Sequence, residues 1–269
     1  MGLPLFDPTE DPGPDFAALL RRTAGRPVEA RPAESALRVP HATTVVALRF
    51  ADGVVMAGDR RATEGYSIAH RAMEKVFPAD RLSAVAIAGA AGPAVEMVRL
   101  FQVQLEHYEK VEGVSLSLEG KANQLAGMVR EHLPMAFQGL AVVPLFAGYD
   151  PSRGTGRIYT YDVTGGHYEE TDFQATGSGG RDARNTIKLG YKERLPRRDA
   201  VMLAIEALYE AADEDAGTGG PDLVRGIYPL VAAVTADGYK EVDGAEVAEL
   251  FNALIDRRRA ERVSGGAAR

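Results

Sequence analysis

The β-rich runs of this sequence come in pairs, and that pairing limits its fold more than any other pattern in it. "TTVVALRF" and "GVVMAGDR" are separated only by "ADG", a hairpin spacing. "KVFPAD" and "LSAVAIAGA" repeat the arrangement, with a turn expected at Pro78–Asp80. Further on come "AVVPLFAGYD", "GRIYTYDV" and "GHYEETDF", broken by "PSRGTG" and "TGG", and later "YPLVAAVTADG" leads directly into "YKEVD". Parallel strands need a long crossover between them, so a parallel chain alternates strand and helix. Grouped strands with short turns predict antiparallel sheets with helices outside, a layered α+β domain.

The helices fall between these groups. "PAVEMVRLFQVQLEHYEKVE" carries Pro93 in its first turn, places Val98, Phe101, Leu105 and Tyr108 at helical spacing, and stops at Gly113. "EGKANQLAGMVREHLPMAF" aligns Leu125, Val129 and Leu133 on one face. Further helices are expected at residues 180–191 and 198–213, and a last one from Ala245 to Arg258. The wide apolar stripes of the first two suit packing against a sheet.

Residues 1–42 differ from the rest. Seven of the chain's 15 prolines lie before Thr43, a density that excludes regular ladders and long helices. Only "DFAALLRR", residues 15–22, has the pattern of a short helix, with Asp15 as its N-cap. The segment is expected to be a leader outside the core, and residues 259–269 a disordered tail. It lacks the basic and apolar regions of a secretion signal, which points to a cytoplasmic protein. No apolar run suits a membrane span, and a net charge of −7 argues against nucleic acid as a partner.

The chemistry narrows by elimination. The chain has no cysteine, so disulfides, thiol nucleophiles and Cys-ligated zinc are excluded. No nucleophile elbow, phosphate loop or spaced metal-ligand motif occurs, and no cofactor or metal is expected. His107 and His132 fall on helices, and His41, His70 and His167 in the leader, a loop and a turn. None is placed for a serine triad. Threonine remains. Its hydroxyl needs an adjacent base, and the α-amino group of an N-terminal threonine supplies one with a reference pKa of about 7.7–8.0. Such a threonine must be the first residue of the mature chain, which requires a removable leader. Thr43 and Thr44 stand where the leader ends and the first strand begins. On residue types alone, the reading of both as ordinary β-branched strand residues after the leader is the favoured one.

The surroundings of Thr43 decide between these readings. "TTVVALRFADGVVMAGDRRAT" followed by "EKVF" resembles the start of a catalytic proteasome β subunit. "IAGAAG", "LEHYEKVEGV", "GYD", "ATGSGG" and "EALYEAADEDAGTGGPDLVRGIYP" extend the likeness to the bacterial, actinobacterial type, from about residue 40 to residue 256. The resemblance implies an N-terminal nucleophile hydrolase fold, a four-layer αββα sandwich of two antiparallel sheets over residues 43–258, with residues 1–42 a propeptide cut between Ala42 and Thr43. It implies a threonine endopeptidase with Thr43 as nucleophile and its freed amine as base. Asp59 and Lys75 would form a charged pair beside it, Gly89 would give the oxyanion its N–H, and Ser178 and Asp222 would orient the amine. Ala62, Thr63, Met73, Ile87, Ala91 and Ala94 match the first side-chain pocket; none is charged, so apolar residues are expected before the cut, although from the sequence the same residues suit the core equally well. Implied partners are proteasome α subunits, further β subunits in heptameric rings, a ring-shaped ATP-dependent unfoldase, and tagged protein substrates.

Two departures stand out. Ala42 precedes the threonine where the family has glycine, and Arg225 stands three residues after Asp222 where the family has serine. A simpler two-component bacterial protease also begins with paired threonines, and a non-catalytic ring subunit shares the fold. The long leader with "GDRRAT" and "GGPDLVRG" favours the proteasome over the first. The joint presence of Thr43, Asp59 and Lys75 favours catalysis over the second.

Overall fold

A computed structural model describes residues 43–64 and 67–266. The leader, with its expected short helix and Ala42, lies outside the described residues, as do residues 267–269. Twelve strands and six helices are found among the described residues. β1 (Thr44–Phe50) and β2 (Gly53–Gly58) form the first hairpin, with Val45 opposite Gly58 and Leu48 opposite Val55. β3 (Ala62–Glu64) and β4 (Ser67–His70) form a short hairpin of their own. This pair was not expected, because its strands of three and four residues are too short to show an alternation.

β5 (Val76–Asp80) and β6 (Ser83–Gly89) are the second expected pair. The turn comes after Asp80 instead of at Pro78–Asp80. β5 is an edge strand, where a proline forfeits no ladder bond, and its register slips between Pro78 and Asp80. α1 (Ala91–Glu112) and α2 (Leu118–Glu131) follow, the second capped by Ser117 Oγ accepting the Gly120 N–H at 3.1 Å. Val98, Phe101, Leu105, Leu125 and Val129 are buried as expected, but Tyr108 is exposed. Pro134 ends α2 early, leaving α3 (Leu133–Ala136) as a separate turn.

β7 (Val142–Asp150), β8 (Thr155–Tyr161) and β9 (His167–Glu170) complete one five-stranded antiparallel sheet, in the order β5-β6-β7-β8-β9. β10 (Phe173–Gly177) then pairs with β1, in register from Leu48–Phe173 to Thr44–Gly177. α4 (Gly180–Gly190), α5 (Arg197–Glu214), β11 (Leu230–Thr235), β12 (Gly238–Glu241) and α6 (Gly244–Gly266) follow. The first sheet runs β10-β1-β2-β11-β12. α6 continues past Arg258, so residues 259–266 are helical and not the disordered tail expected. Arg257 and Arg258 tie the helix to Glu206 of α5 at 2.7 and 3.0 Å, contacts that no local pattern announces.

Strand alternation builds the layers. Val46, Leu48 and Phe50 of β1 and Val55 and Ala57 of β2 pack against α4, α5 and α6. Their neighbours Val45, Ala47, Val54 and Met56 meet Ala84, Ala86, Leu145, Ala147 and Ile158 of the other sheet. The outer face of that sheet, Val85, Ile87, Val142 and Phe146, packs on α1 and α2. Two sheets face each other and helices cover both outsides, the expected αββα sandwich. Alanines between the sheets keep the contact thin.

Candidate active site

One edge of the sandwich gathers six element ends. Thr43 directly precedes β1, Asp59 directly follows β2, and Ser178 directly follows β10. From the other sheet, Lys75 precedes β5, Gly89 ends β6, and α1 starts beside it. Antiparallel pairing alternates strand ends, which is why residues so distant in sequence meet here.

The charged pair is dry. Lys75 Nζ lies 2.7 Å from Asp59 Oδ1, with 2% and 0% of the side chains exposed. Asp59 is held from four directions: Oδ1 also accepts the Thr44 N–H at 2.8 Å, and Oδ2 accepts the N–H groups of Arg61 and Gly219, each at 2.9 Å. Lys75 donates as well to the Arg61 carbonyl at 2.6 Å. Burial pulls the Lys75 ammonium below its ordinary range, and Asp59 pushes it part of the way back.

Thr43 is pinned by the turn after β10. Its carbonyl accepts the Ser178 N–H at 2.9 Å, and its nitrogen lies 3.4 Å from Ser178 Oγ. Gly177 lies beside that carbonyl with φ +102°, and a Cβ at this position would overlap the Thr43 oxygen, so only glycine fits. Gly89 has φ +114° and lies as closely against the Ala141 carbonyl.

A cavity of about 110 Å³ opens at Thr43. It is lined by Thr43, Lys75 and Gly89 together with Ala62, Thr63, Met73, Ile87, Ala91 and Ala94. All six residues assigned to the side-chain pocket thus surround one space. Among the described residues, no carboxylate reaches it.

Asp222 is the exception. Its carboxylate accepts Arg225 N–H bonds at 3.0 Å from the backbone and 2.6 Å from the guanidinium, and its backbone bridges Ile227. Arg225 holds this carboxyl below its usual range. Asp222 is bonded within its own turn, to Arg225 and Ile227, and not to Ser178 as the expected role would need. The carboxylate bonded to Ser178 is Asp215, with Oδ2 2.5 Å from Ser178 Oγ and 2.6 Å from Thr218 Oγ. The spacing sought at Asp222 and Arg225, a carboxylate with a hydroxyl three residues on, is met by Asp215 and Thr218 in "DAGTGG". That segment was the signal available in the sequence. Arg61 was also missed: its guanidinium reaches the carbonyls of Ala216 and Thr218, both at 3.3 Å, and so braces this turn.

Comparison with known proteins places the chain in a family. Residues 39–224 match the family model described as "Proteasome subunit". A protein named "Proteasome subunit beta" from Acidimicrobium ferrooxidans is 64% identical over 251 residues, 93% of this chain and 92% of that protein. One of the same name from Streptomyces griseus subsp. griseus is 56% identical over 227 residues, 84% of this chain and 81% of that protein. The αββα sandwich is accordingly of the N-terminal nucleophile hydrolase type. A chain with this sandwich, these relatives and this match along most of its length belongs to the proteasome family, as a β subunit of the bacterial type.

Proposed function

We propose that the chain is the threonine endopeptidase of a bacterial proteasome core, activated by its own removal of residues 1–42. The observation that carries this reading is the convergence at one sheet edge of Thr43, the buried Asp59–Lys75 pair and a cavity walled in part by alanines, Met73 and Ile87. In the precursor, the Thr43 nitrogen is an amide. The Thr43 oxygen attacks the Ala42 carbonyl carbon, the C–N bond breaks, and the hydroxyl proton ends on the departing nitrogen. Water then hydrolyses the Ala42 ester and leaves Thr43 with a free amine.

The mature enzyme repeats this chemistry on substrates. The amine takes the hydroxyl proton, the oxygen attacks the peptide carbonyl, and the proton passes to the leaving nitrogen as an acyl ester forms. Water, deprotonated by the same amine, releases the acyl group. Among the described residues, Lys75 has two of its three N–H groups on Asp59 and Arg61, which leaves one for the negative charge growing on the Thr43 oxygen. The backbone N–H of Gly89 is the donor for the carbonyl oxygen. The cavity wall of Ala62, Met73, Ile87, Ala91 and Ala94 favours apolar side chains before the cut, because a charged one would be desolvated without a partner.

On this reading the subunit assembles into heptameric rings of its own kind between rings of α subunits. It degrades unfolded, tagged chains processively, as a ring-shaped ATP-dependent unfoldase threads them in from the cytoplasm. Among the described residues, no helix is long and apolar enough to cross a membrane. The test is the intact mass of particles assembled with α subunits. Active particles should carry a chain beginning at Thr43, and Thr43→Ala should leave the precursor uncut and inactive. Full activity with residues 1–42 retained would overturn the mechanism.

A further inference from the structure

We infer that Thr44, the second of the adjacent threonines, is a positioning residue for catalysis, its hydroxyl fixing through Thr218 the Asp215 carboxylate that orients Ser178 and the Thr43 nitrogen. The inference rests on the reading of Thr43 as nucleophile. Packing alone does not require a hydroxyl at position 44. The residue is completely buried at the start of a strand, where valine has the same shape. A buried hydroxyl must be bonded to be tolerated. Thr44 Oγ is bonded twice, lying 3.0 Å from the Gly179 nitrogen and 2.6 Å from Thr218 Oγ.

Counting protons fixes the direction of every link. A carboxylate only accepts, and each hydroxyl has one proton to give. Thr218 therefore gives its proton to Asp215 Oδ2, and Ser178 gives its own to the same oxygen. Thr218 has none left for Thr44, so Thr44 is the donor between them, and it accepts from Gly179. The chain runs one way, from the Gly179 N–H through the Thr44 and Thr218 hydroxyls to Asp215. With its proton committed, Ser178 Oγ meets the Thr43 nitrogen, 3.4 Å away, as an acceptor. An amine that donates to Ser178 keeps its lone pair for the Thr43 hydroxyl. Thr44 anchors both ends of this arrangement, because Gly179 is also the residue after Ser178. Valine at 44 would leave the Gly179 N–H unpaired in a dry site and Thr218 without its donor.

The test uses particles assembled with α subunits and a fluorogenic peptide with an apolar residue before the cut, with rates taken per processed chain by intact mass. Thr44→Val should lower kcat roughly tenfold, since small misplacements of catalytic groups cost this much or more, with KM unchanged. Thr44→Ser should restore kcat to within about twofold of the wild type. Thr44→Ala, which adds no bulk, should behave as Thr44→Val and decides the matter if the valine variant does not assemble. Wild-type kcat in either variant, an effect on KM alone, or a serine variant as impaired as valine would overturn the inference. So would failure of both Val and Ala variants to assemble while Ser assembles, which would make the hydroxyl a folding element. Thr43→Ala in the same assay tests the nucleophile separately: activity there defeats the reading beneath, while an inactive Thr43→Ala with a normal Thr44→Val defeats only the role of Thr44.

Discussion

Asp59 holds Lys75 at 2.7 Å, but the two partners are not equivalent: among the described residues, Asp59 also collects three backbone N–H groups and Lys75 has one further acceptor. Removing Lys75 leaves a carboxylate still held by Thr44, Arg61 and Gly219. Removing Asp59 leaves those three donors orphaned and a buried ammonium uncompensated. Lys75→Ala should therefore fold and assemble yet lose turnover and self-processing by about 100-fold or more, the scale of a lost charge stabiliser. Asp59→Ala should lower the unfolding free energy as well, by about 3 kcal/mol or more. Thermal unfolding and peptidase assays on both variants check this; near-wild-type turnover in Lys75→Ala would make that residue structural.

Asp215 and Asp222 can be separated directly. Asp215 shares its Oδ2 with Ser178 and Thr218, whereas Asp222 is bonded to Arg225. Asp215→Asn should reduce kcat by roughly tenfold or more, and Asp222→Asn should leave it within about twofold, since an exposed ion pair contributes little. The opposite ranking in a steady-state assay would return the orienting role to Asp222.

Gly177 tests how tightly the Thr43 carbonyl is held. Alanine there would sit at φ +102° and press on the Thr43 oxygen. The backbone strain alone is of order 1–3 kcal/mol. Gly177→Ala should lower the melting temperature and reduce kcat together, as the strand end shifts away from Ser178. A variant with lower stability but unaltered kcat would show that the position of the carbonyl does not govern the reaction.

The Asp162 loop supplies a pH test away from the site. Asp162 Oδ1 accepts from Thr164 N at 2.8 Å, Thr164 Oγ at 2.6 Å and Gly166 N at 3.0 Å. These donors, the Thr164 hydroxyl foremost, hold its carboxyl down to about 2, against an ordinary 3.8. A depressed carboxyl stabilises the fold above its unfolded value, and that contribution is lost as pH falls through the folded one. Asp162→Ala should therefore melt below the wild type at pH 5, with the gap narrowing between about pH 4 and pH 2. A gap that stays constant across that range would mean the loop's bonds do not depend on the charge.

The sequence by itself determined whatever is set by neighbours along the chain. The hairpins of β1–β2 and β5–β6, the stripes of α1 and α2, and the grouping of strands that makes both sheets antiparallel are local patterns. Thr43, Asp59, Lys75 and the pocket residues stood in short segments whose likeness to a known family was legible in order and spacing. The tertiary structure decided the rest. β10 has too little apolar alternation to announce itself and exists because β1 offers it an edge. The last two turns of α6 follow from arginines that find α5. Asp215 and Asp222 lie seven positions apart around the same glycine pair; the hydroxyl three residues after Asp215 is a spacing hint, but only the folded turn places that carboxylate against Ser178. That choice depends on how the turn after α5, braced by Arg61 and Asp59, lies against the end of β10. A hydrogen bond is set by ångströms and angles, and those are fixed only once both sheets have packed.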